Sequence, residues 1–447
     1  MTYQVPQHID KNKIFVVQRS EIEGRLDPKM ALYNRRVQNS IYPKVRLKDL
    51  LVCKPQYGAN ESGVARLSMA DTRYIRITDI DEYGLISNKD LGATVKNIEE
   101  KYILNENDIL IARSGATVGK AYIHKKMPYD CIFAGYLIRF VLNCAKVLPD
   151  YVFIWTQLNA YKEWVNAIQR PSGQPNINAE EYKSLEIPLP NIEKQKEIVA
   201  IVHSAYTQKL QKESEAQQLL DSIIDKVLAE LGISLPHIEK TLSKRIFTTS
   251  FRQIQSNRFD PKGVLFLGDK SGSSIFENVS LKSIAKICKG NSLTSKEADI
   301  TGLFPVIAGG QISPYNHNVA NYNGNVITVS ASGAYAGYVW YHDYPIYATD
   351  CCVIQSRNEQ KYLTSYLYEV LHAQQERIYM YQQGAGQPHV YASDLEKILI
   401  PKISIEQQRV IVTHAKELRT KAKALQAEGK AILENAKKEV EKMIMGE

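Results

Sequence analysis

The chain has 447 residues, 44% hydrophobic and 23% charged, with a net charge of +8, which suits two or three soluble domains that each bury a core. No apolar run approaches a membrane helix, Met1-Thr2-Tyr3-Gln4 opens no signal peptide, and the cysteines at 53, 131, 144, 288, 351 and 352 form no C-x-x-C pair or Cys/His cluster. These features argue against a membrane protein, a zinc site and a disulfide framework, and predict a cytoplasmic protein with reduced thiols.

In chain order, Arg25-Leu26-Asp27-Pro28 is followed by Val45-Arg46-Leu47-Lys48-Asp49-Leu50. Tyr74 to Ile80 alternates and meets the turn signal Asp81-Glu82-Tyr83-Gly84, which predicts a strand; Asp108 to Ala112 and Ile132 to Val141 predict two more. Pro149 to Ala167 carries Tyr151, Ile154, Trp155, Leu158, Tyr161 and Trp164 at helical spacing. After Pro188-Leu189-Pro190, Asn191 is placed to cap a long helix running to about Leu231, where Gly232 ends it. Its apolar positions are Ile198, Val202, Ala205, Leu219, Ile223, Val227 and Leu231. Further on, Val326 to Ser330 and Cys351 to Gln355 predict strands, and Lys361 to Tyr379 a helical stretch. Ser404-Ile405-Glu406-Gln407 is a capping box opening a second long helix. There Ile411, Ala415, Leu418, Ala422, Leu425, Ile432, Ala436 and Val440 keep close to the four-three spacing of a coiled-coil seam.

The second half repeats the first. Arg258-Phe259-Asp260-Pro261 answers to residues 25–28, Val279-Ser280-Leu281-Lys282 to residues 45–48, and Ser332-Gly333-Ala334 with Gly337 to Ser114-Gly115-Ala116 with Gly119. Ala385-Gly386-Gln387-Pro388-His389 answers to Ser172-Gly173-Gln174-Pro175-Asn176, Ile400-Pro401 to Ile187-Pro188, and Glu406-Gln407-Gln408 to Glu193-Lys194-Gln195. Pro28 to Pro261 is 233 positions, Gly115 to Gly333 is 218 and Gln174 to Gln387 is 213, so the second copy is shorter by 15 residues and then by 5. The frame is shared while the loops differ, and loops on a fixed scaffold commonly carry binding residues. Helices of about 40 residues span roughly 60 Å, too long to be buried in one globular unit. The expectation is an α+β chain: two tandem strand-rich heads separated by two long helices that pair as an antiparallel coiled coil, with pseudo-twofold repetition.

Catalytic motifs are missing. Gly115-Ala116-Thr117-Val118-Gly119-Lys120-Ala121 resembles a P-loop only loosely, being one residue short, with Ala121 where a magnesium-binding hydroxyl belongs. A turn with glycines where the backbone needs them is the simpler reading. No strand–GxG–helix cofactor loop, methyltransferase tetrapeptide, H-E-x-x-H or G-x-S-x-G elbow occurs, and nine histidines are scattered. The chain reads as a binder and not an enzyme, with no catalytic residue, metal or cofactor of its own.

Tyrosines outnumber phenylalanines 27 to 10, which suits polar interfaces and contacts to phosphates or bases. Arg76, Arg113, Lys120, Lys125, Lys126 and Arg170 give the first head positive charge, though any one alone is better explained by a solvated surface than by a phosphate contact. Candidate nucleic-acid contacts are Arg76, Thr78, Arg113, Ser114, Lys120, Arg170, Ser172, Gln174 and Asn176 in the first copy, and Ser330, Ser332, Tyr335, Gln387 and His389 in the second.

Taken in order, these landmarks resemble the specificity subunit of Type I restriction–modification systems: Arg-Leu/Phe-Asp-Pro, Val-x-Leu-Lys, Ser-Gly-Ala-x-x-Gly, the Gly-Gln-Pro loop, Ile-Pro-Leu-Pro and Glu-x-Gln. The resemblance runs from about residue 20 to 445, with departures at Ala385 and at Lys402, where the second Ile-Pro lacks its following Leu-Pro. It implies target-recognition domains at 20–190 and 250–402 and spacer helices at 191–249 and 403–447. Each domain would read half of an asymmetric, interrupted DNA site. The helices would set the gap between half-sites and dock two modification (methyltransferase) subunits, with Ile198, Val202, Leu219, Ile223, Val227, Ile411, Leu418, Leu425 and Ile432 as candidate docking residues. Those partners would bring S-adenosylmethionine, and motor-nuclease subunits would bring ATP and Mg. A system with a fused methyltransferase-nuclease partner, an enzyme in its own right, and a coiled-coil scaffold without DNA are the alternatives.

Overall fold

The computed structural model describes residues 16–17, 19, 28–37, 40–86, 91–169, 174–235, 248, 274–293, 301–313, 315–384 and 386–446. The second Arg-Phe-Asp-Pro motif and Arg25 to Asp27 of the first lie outside them. The chain divides into two units, residues 1–211 with 428–447, and residues 212–427.

The first unit contains α1 (Pro28–Val37), β1 (Lys44–Arg46), β2 (Gln56–Tyr57), β3 (Val64–Ala65), β4 (Arg73–Ile75), β5 (Ala93–Thr94), β6 (Ile109–Ala112), β7 (Ala121–Ile123), β8 (Cys131–Phe133) and β9 (Leu137–Phe140). Helices α2 (Pro149–Trp155), α3 (Asn159–Ile168) and α4 (Ala179–Lys183), strand β10 (Glu186–Pro188) and the start of α5 (Ile192–Leu231) follow. One antiparallel sheet has the order β2-β9-β6-β7; a second has the order β3-β5-β4-β8, with β4 and β8 parallel; β1 and β10 form a separate antiparallel pair.

The second unit repeats this order with β11 (Asn278–Ser280), α6 (Leu281–Ile284), β12 (Ala285–Lys289), β13 (Phe304–Ile307), β14 (Tyr315–His317), β15 (Val326–Ser330), β16 (Val339–His342), β17 (Tyr347–Ala348) and β18 (Cys351–Ser356). After them come α7 (Thr364–Ala373), α8 (Gln375–Tyr379), α9 (Ala392–Leu395), β19 (Leu399–Pro401) and the start of α10 (Ile405–Met445), whose end belongs to the first unit. Its sheets are β12-β18-β15-β16 and β14-β13-β17, the latter again containing one parallel pair, beside an antiparallel β11–β19 pair.

Most of the repeated sequence landmarks are joints of this frame. Val45 pairs with Ile187 and Val279 with Ile400, so each Val-x-Leu strand meets its Ile-Pro strand in the same register. The hydroxyl of Tyr151 donates to the Pro188 carbonyl, and that of Tyr366 to the Pro401 carbonyl. Buried Gln195 accepts from the N–H of Leu148 at 2.8 Å and donates to the Pro190 carbonyl at 2.9 Å. Gln408 likewise accepts from Leu363 at 2.9 Å and donates to the Lys361 carbonyl at 2.9 Å. The glutamine that closes each Glu-x-Gln motif therefore bolts a long helix to the helix-bearing layer of its head. A buried amide must find partners for every donor and acceptor, which explains why the residue recurs.

Helix α5 starts as predicted, with Asn191 Oδ1 accepting from the N–H of Lys194 at 2.9 Å, and it ends at Gly232 with φ +58°. Ser404 and Gln407 form the reciprocal capping box of α10 at 3.2 and 3.0 Å. In the first unit Ile198 clusters with Val440 and Ile444, while Ala205 clusters with Leu433 and Ala436, so these helix segments run antiparallel. In the second unit Ile223 and Val227 share a cluster with Ile411 and Ala415, and Lys226 Nζ lies 3.0 Å from His414 Nε2. Each fully buried aliphatic side chain in such a seam contributes about 1.5–3 kcal/mol.

Four predicted elements differ in the structure, the one in the second copy being the helical stretch over Lys361 to Tyr379, which is two helices meeting at Gln374. The strand expected over Tyr74 to Ile80 stops at Ile75, because Asp79 accepts from the Arg76 N–H at 2.9 Å and from its guanidinium, drawing the chain into a 3-10 turn. The single strand expected over Ile132 to Val141 is two strands in different sheets, β8 beside β4 and β9 beside β6. Burial on both sides hides this break from the hydrophobic pattern; the change of sheet occurs at Gly135. The helical stretch from Pro149 is likewise two helices, interrupted at residues 156–158.

Candidate nucleic-acid interface

In each unit the Ser-Gly-Ala turn links the two strands of a hairpin, β6–β7 or β15–β16. Gly115 and Gly119 have φ of +82° and +87°, and Gly333 and Gly337 of +86° and +97°, the left-handed region where glycine is favoured. The Gly-Gln-Pro loop is clasped against this turn. The N–H of Gly115 donates to the Pro175 carbonyl at 3.0 Å and that of Ile177 to the Arg113 carbonyl at 2.8 Å, which sets Ser114 opposite Asn176. The N–H of Gly333 donates to Pro388 and that of Val390 to Ala331, both at 3.0 Å, which sets Ser332 opposite His389. Two motifs about 60 residues apart in sequence form one surface, built the same way twice.

The side chains on the clasp differ. In the first unit the guanidinium of Arg113 lies over the ring of Tyr57, 5.0 Å from its centroid, and its buried Nε has no hydrogen-bond partner among the described residues. The Tyr57 hydroxyl accepts from the N–H of Ala179 at 3.1 Å, which pins the ring. Tyr136 joins the clasp through its carbonyl, which accepts from the Arg113 N–H at 3.0 Å. Burial raises the pKa of the Tyr136 phenol, opposed by the charge of Arg76, with Asp79 and the Ile77 backbone also close. Tyr136 thus stands between Arg113 and the Arg76–Asp79 turn. In the second unit the hydroxyl of Ser332 donates to Asp350 Oδ2, the His389 ring stacks on Tyr391 with centroids 6.2 Å apart, and Tyr335 stands 47% exposed.

A family profile described as "Type I restriction modification DNA specificity domain" matches residues 70–221 and 274–435, one match per copy and well over half of the chain. The chain belongs to this family. Among curated relatives it is 22% identical over 195 residues to the Type I restriction enzyme MjaVIII specificity subunit of Methanocaldococcus jannaschii, a match covering 44% of this chain and 38% of that protein. It is 25% identical over 246 residues to the EcoKI specificity subunit of Escherichia coli K12, covering 51% of this chain and 49% of the relative. The chain thus spans about half or less of the curated relatives it matches. A crystal structure of a Type I restriction–modification S subunit from M. genitalium aligns over 94% of this chain and 98% of its own at 15% identity, with a TM-score of 0.44.

Within the two specificity domains, the clasp brings Arg113, Ser114, Gln174 and Asn176 together in one copy and Ser332, Gln387 and His389 in the other. Gln387 Nε2 lies 3.5 Å from Ser332 Oγ, and a side chain added at Gly115 would touch the Gln174 amide. Thr78 is exposed on the neighbouring turn, where Arg76 is held in a two-pronged pair with Asp79 at 2.8 and 3.1 Å. Lys120 is not free: its ammonium donates to the Ile80 carbonyl. Ser330 is 3% exposed and belongs to the frame, not the surface. Arg170 and Ser172 lie outside the described residues.

Of the helix positions, Ile198, Ile223, Val227 and Ile411 are buried inside their own units, and Val202, Leu219, Leu418, Leu425 and Ile432 are half-buried. Side chains already packed against neighbours leave little surface for a partner. The sequence reading missed Tyr57, Tyr136, Asp350 and Tyr391. Tyr391 stands two residues beyond His389, where the first copy has Asn178, so the repeat does not mark it. Tyr136 and Asp350 come to the clasp from the turns where the chain changes sheet, between β8 and β9 and between β17 and β18, which no motif marks.

Proposed function

We propose that the chain is the DNA-reading subunit of a Type I restriction–modification complex, each copy of the specificity domain reading one half of an asymmetric, interrupted site. The observation that carries this reading is the duplicated clasp: an identical backbone frame with different side chains on its exposed edge. Identical groups, Gln174 and Gln387, suit what all half-sites share, the sugar-phosphate backbone. Differing groups, Asn176 and His389 or Thr117 and Tyr335, suit base edges in the major groove. Two modest half-site contacts on one chain reinforce each other only when both sites are engaged, which favours a bipartite target.

In this reading the chain carries no chemistry of its own. Methyltransferase subunits bring S-adenosylmethionine, motor-nuclease subunits bring ATP and Mg, and all work in the cytoplasm. Methylation mapping of DNA from cells expressing the chain with its methyltransferase partner tests the proposal. One interrupted sequence with two unlike halves is expected. Methylation without sequence preference, or at one uninterrupted motif, would overturn it.

A further inference from the structure

At one shared place beside the clasp the two heads carry opposite chemistry. In each, the residue before the Ser-Gly-Ala serine donates its N–H to a carbonyl in the turn where the chain passes from one sheet to the other, between β8 and β9 or between β17 and β18: Arg113 to Tyr136 at 3.0 Å, Ala331 to Asp350 at 3.2 Å. This makes a two-residue slot, filled by Arg113 and Tyr136 in one head and by Ala331 and Asp350 in the other.

We propose that this slot sets the base-edge polarity each head demands, Arg113 reading a guanine and Asp350 the exocyclic amino group of a cytosine or adenine. The assignment rests on the DNA-reading role proposed above. A guanidinium offers five donors in a planar fork. That of Arg113 is oriented by the pinned ring of Tyr57 and makes no ion pair among the described residues. An acceptor-rich ligand completes it, and guanine O6 and N7 match the fork. A phosphate also accepts, but phosphates are common to every half-site, so a phosphate contact would recur in both heads, as the clasp glutamine does. The second head has Ala331 at this position.

Asp350 has the reverse requirement. Its carboxylate is exposed and accepts from the Ser332 hydroxyl. Ionised, it only accepts, and phosphate repels it. The donors that duplex DNA shows in the major groove are the N4 amino group of cytosine and the N6 amino group of adenine.

The test maps methylation by the chain with its methyltransferase partner, comparing wild type with Arg113→Ala and Asp350→Ala. Arg113→Ala should relax one guanine position in one half-site, lowering discrimination roughly ten- to a hundred-fold, and leave the other half-site unchanged. Asp350→Ala should relax one cytosine or adenine position in the opposite half. Should Arg113→Ala fail to accumulate, Arg113→Lys keeps the charge but loses the fork, and should weaken the same guanine. The assignment is overturned if the half-site sequences stay as in wild type while methylation falls evenly at all sites with a shallower salt dependence, the mark of a phosphate contact. It is also overturned if both variants act on one half-site. A wild-type chain that directs no sequence-specific methylation would instead sink the DNA-reading role itself.

Discussion

Arg419 reaches from α10 to Glu369 on α7, its terminal nitrogens donating to the two carboxylate oxygens at 2.5 and 2.7 Å, with its guanidinium 5.0 Å from the centre of the Tyr368 ring. Glu369 is 3% exposed, and burial raises its pKa above 4.5 against the lowering effect of Arg419. Removing one partner of such a pair strands a buried charge, so Arg419→Met should destabilise the second unit by about 3–5 kcal/mol at neutral pH. The sign of the pH dependence follows. A carboxyl whose folded pKa lies above its unfolded value loses folded-state stability as pH rises through that interval. Without Arg419 the interval widens, so the deficit against wild type should shrink as pH falls toward 4.5. Denaturant unfolding of both proteins between pH 5 and 8 checks this; a deficit independent of pH would mean that packing on Tyr368 matters and the charge does not. The sequence offers Glu369 as one acidic residue among Tyr366, Leu367, Val370 and Leu371. Nothing in the local pattern points to a partner 50 residues away on another helix.

The clasp turns show how one element differs between copies. A Cβ at Gly119 would stand 2.7 Å from a Val165 methyl group, with φ at +87°. A Cβ at Gly333, with φ at +86°, would meet nothing within 4 Å. Gly333→Ala should therefore cost only backbone strain, about 1 kcal/mol. Gly119→Ala adds overpacking of a buried valine, for a loss of about 2–4 kcal/mol. Thermal unfolding of the two variants measures the difference, and equal losses would contradict the packing. The sequence marks these glycines as turn positions because Ser-Gly-Ala-x-x-Gly recurs, and the recurrence also revealed the strands on either side and both long helices with their caps. The sheet exchange at Ala134 to Tyr136 stayed hidden. The backbone passes so close to Gly58 that a Cβ there would lie 2.4 Å from the Ala134 carbonyl oxygen. That approach joins residues over 70 positions apart, which no local periodicity encodes.

At the scale of the whole molecule the duplication predicts that the two units respond unequally to acid. His124 in the first unit and His342 and His372 in the second are each pushed down to about 4, chiefly by burial. The His124 ring is held by the Tyr122 hydroxyl at 3.0 Å, and the His342 ring by Thr328 Oγ1 at 2.8 Å and Trp340 beside it. A histidine whose folded pKa is depressed gives its full stability above about 6.5, and loses it as pH falls toward 4, because the unfolded chain takes up the proton first. At pH 5 the loss is about 2 kcal/mol per histidine. Buried carboxylates act in the opposite direction, and among the described residues each unit has one with a raised pKa, Asp108 and Glu369, so this effect is not confined to one unit. Between pH 7 and 5 the second unit should thus lose about 2 kcal/mol more than the first. Amide hydrogen exchange, corrected for intrinsic rates, reads this as a larger fall in protection for Val326–Ser330 than for Ile109–Ala112. His372→Phe should bring the two losses together; if the strands lose protection equally in wild type, the buried imidazoles do not control the acid response.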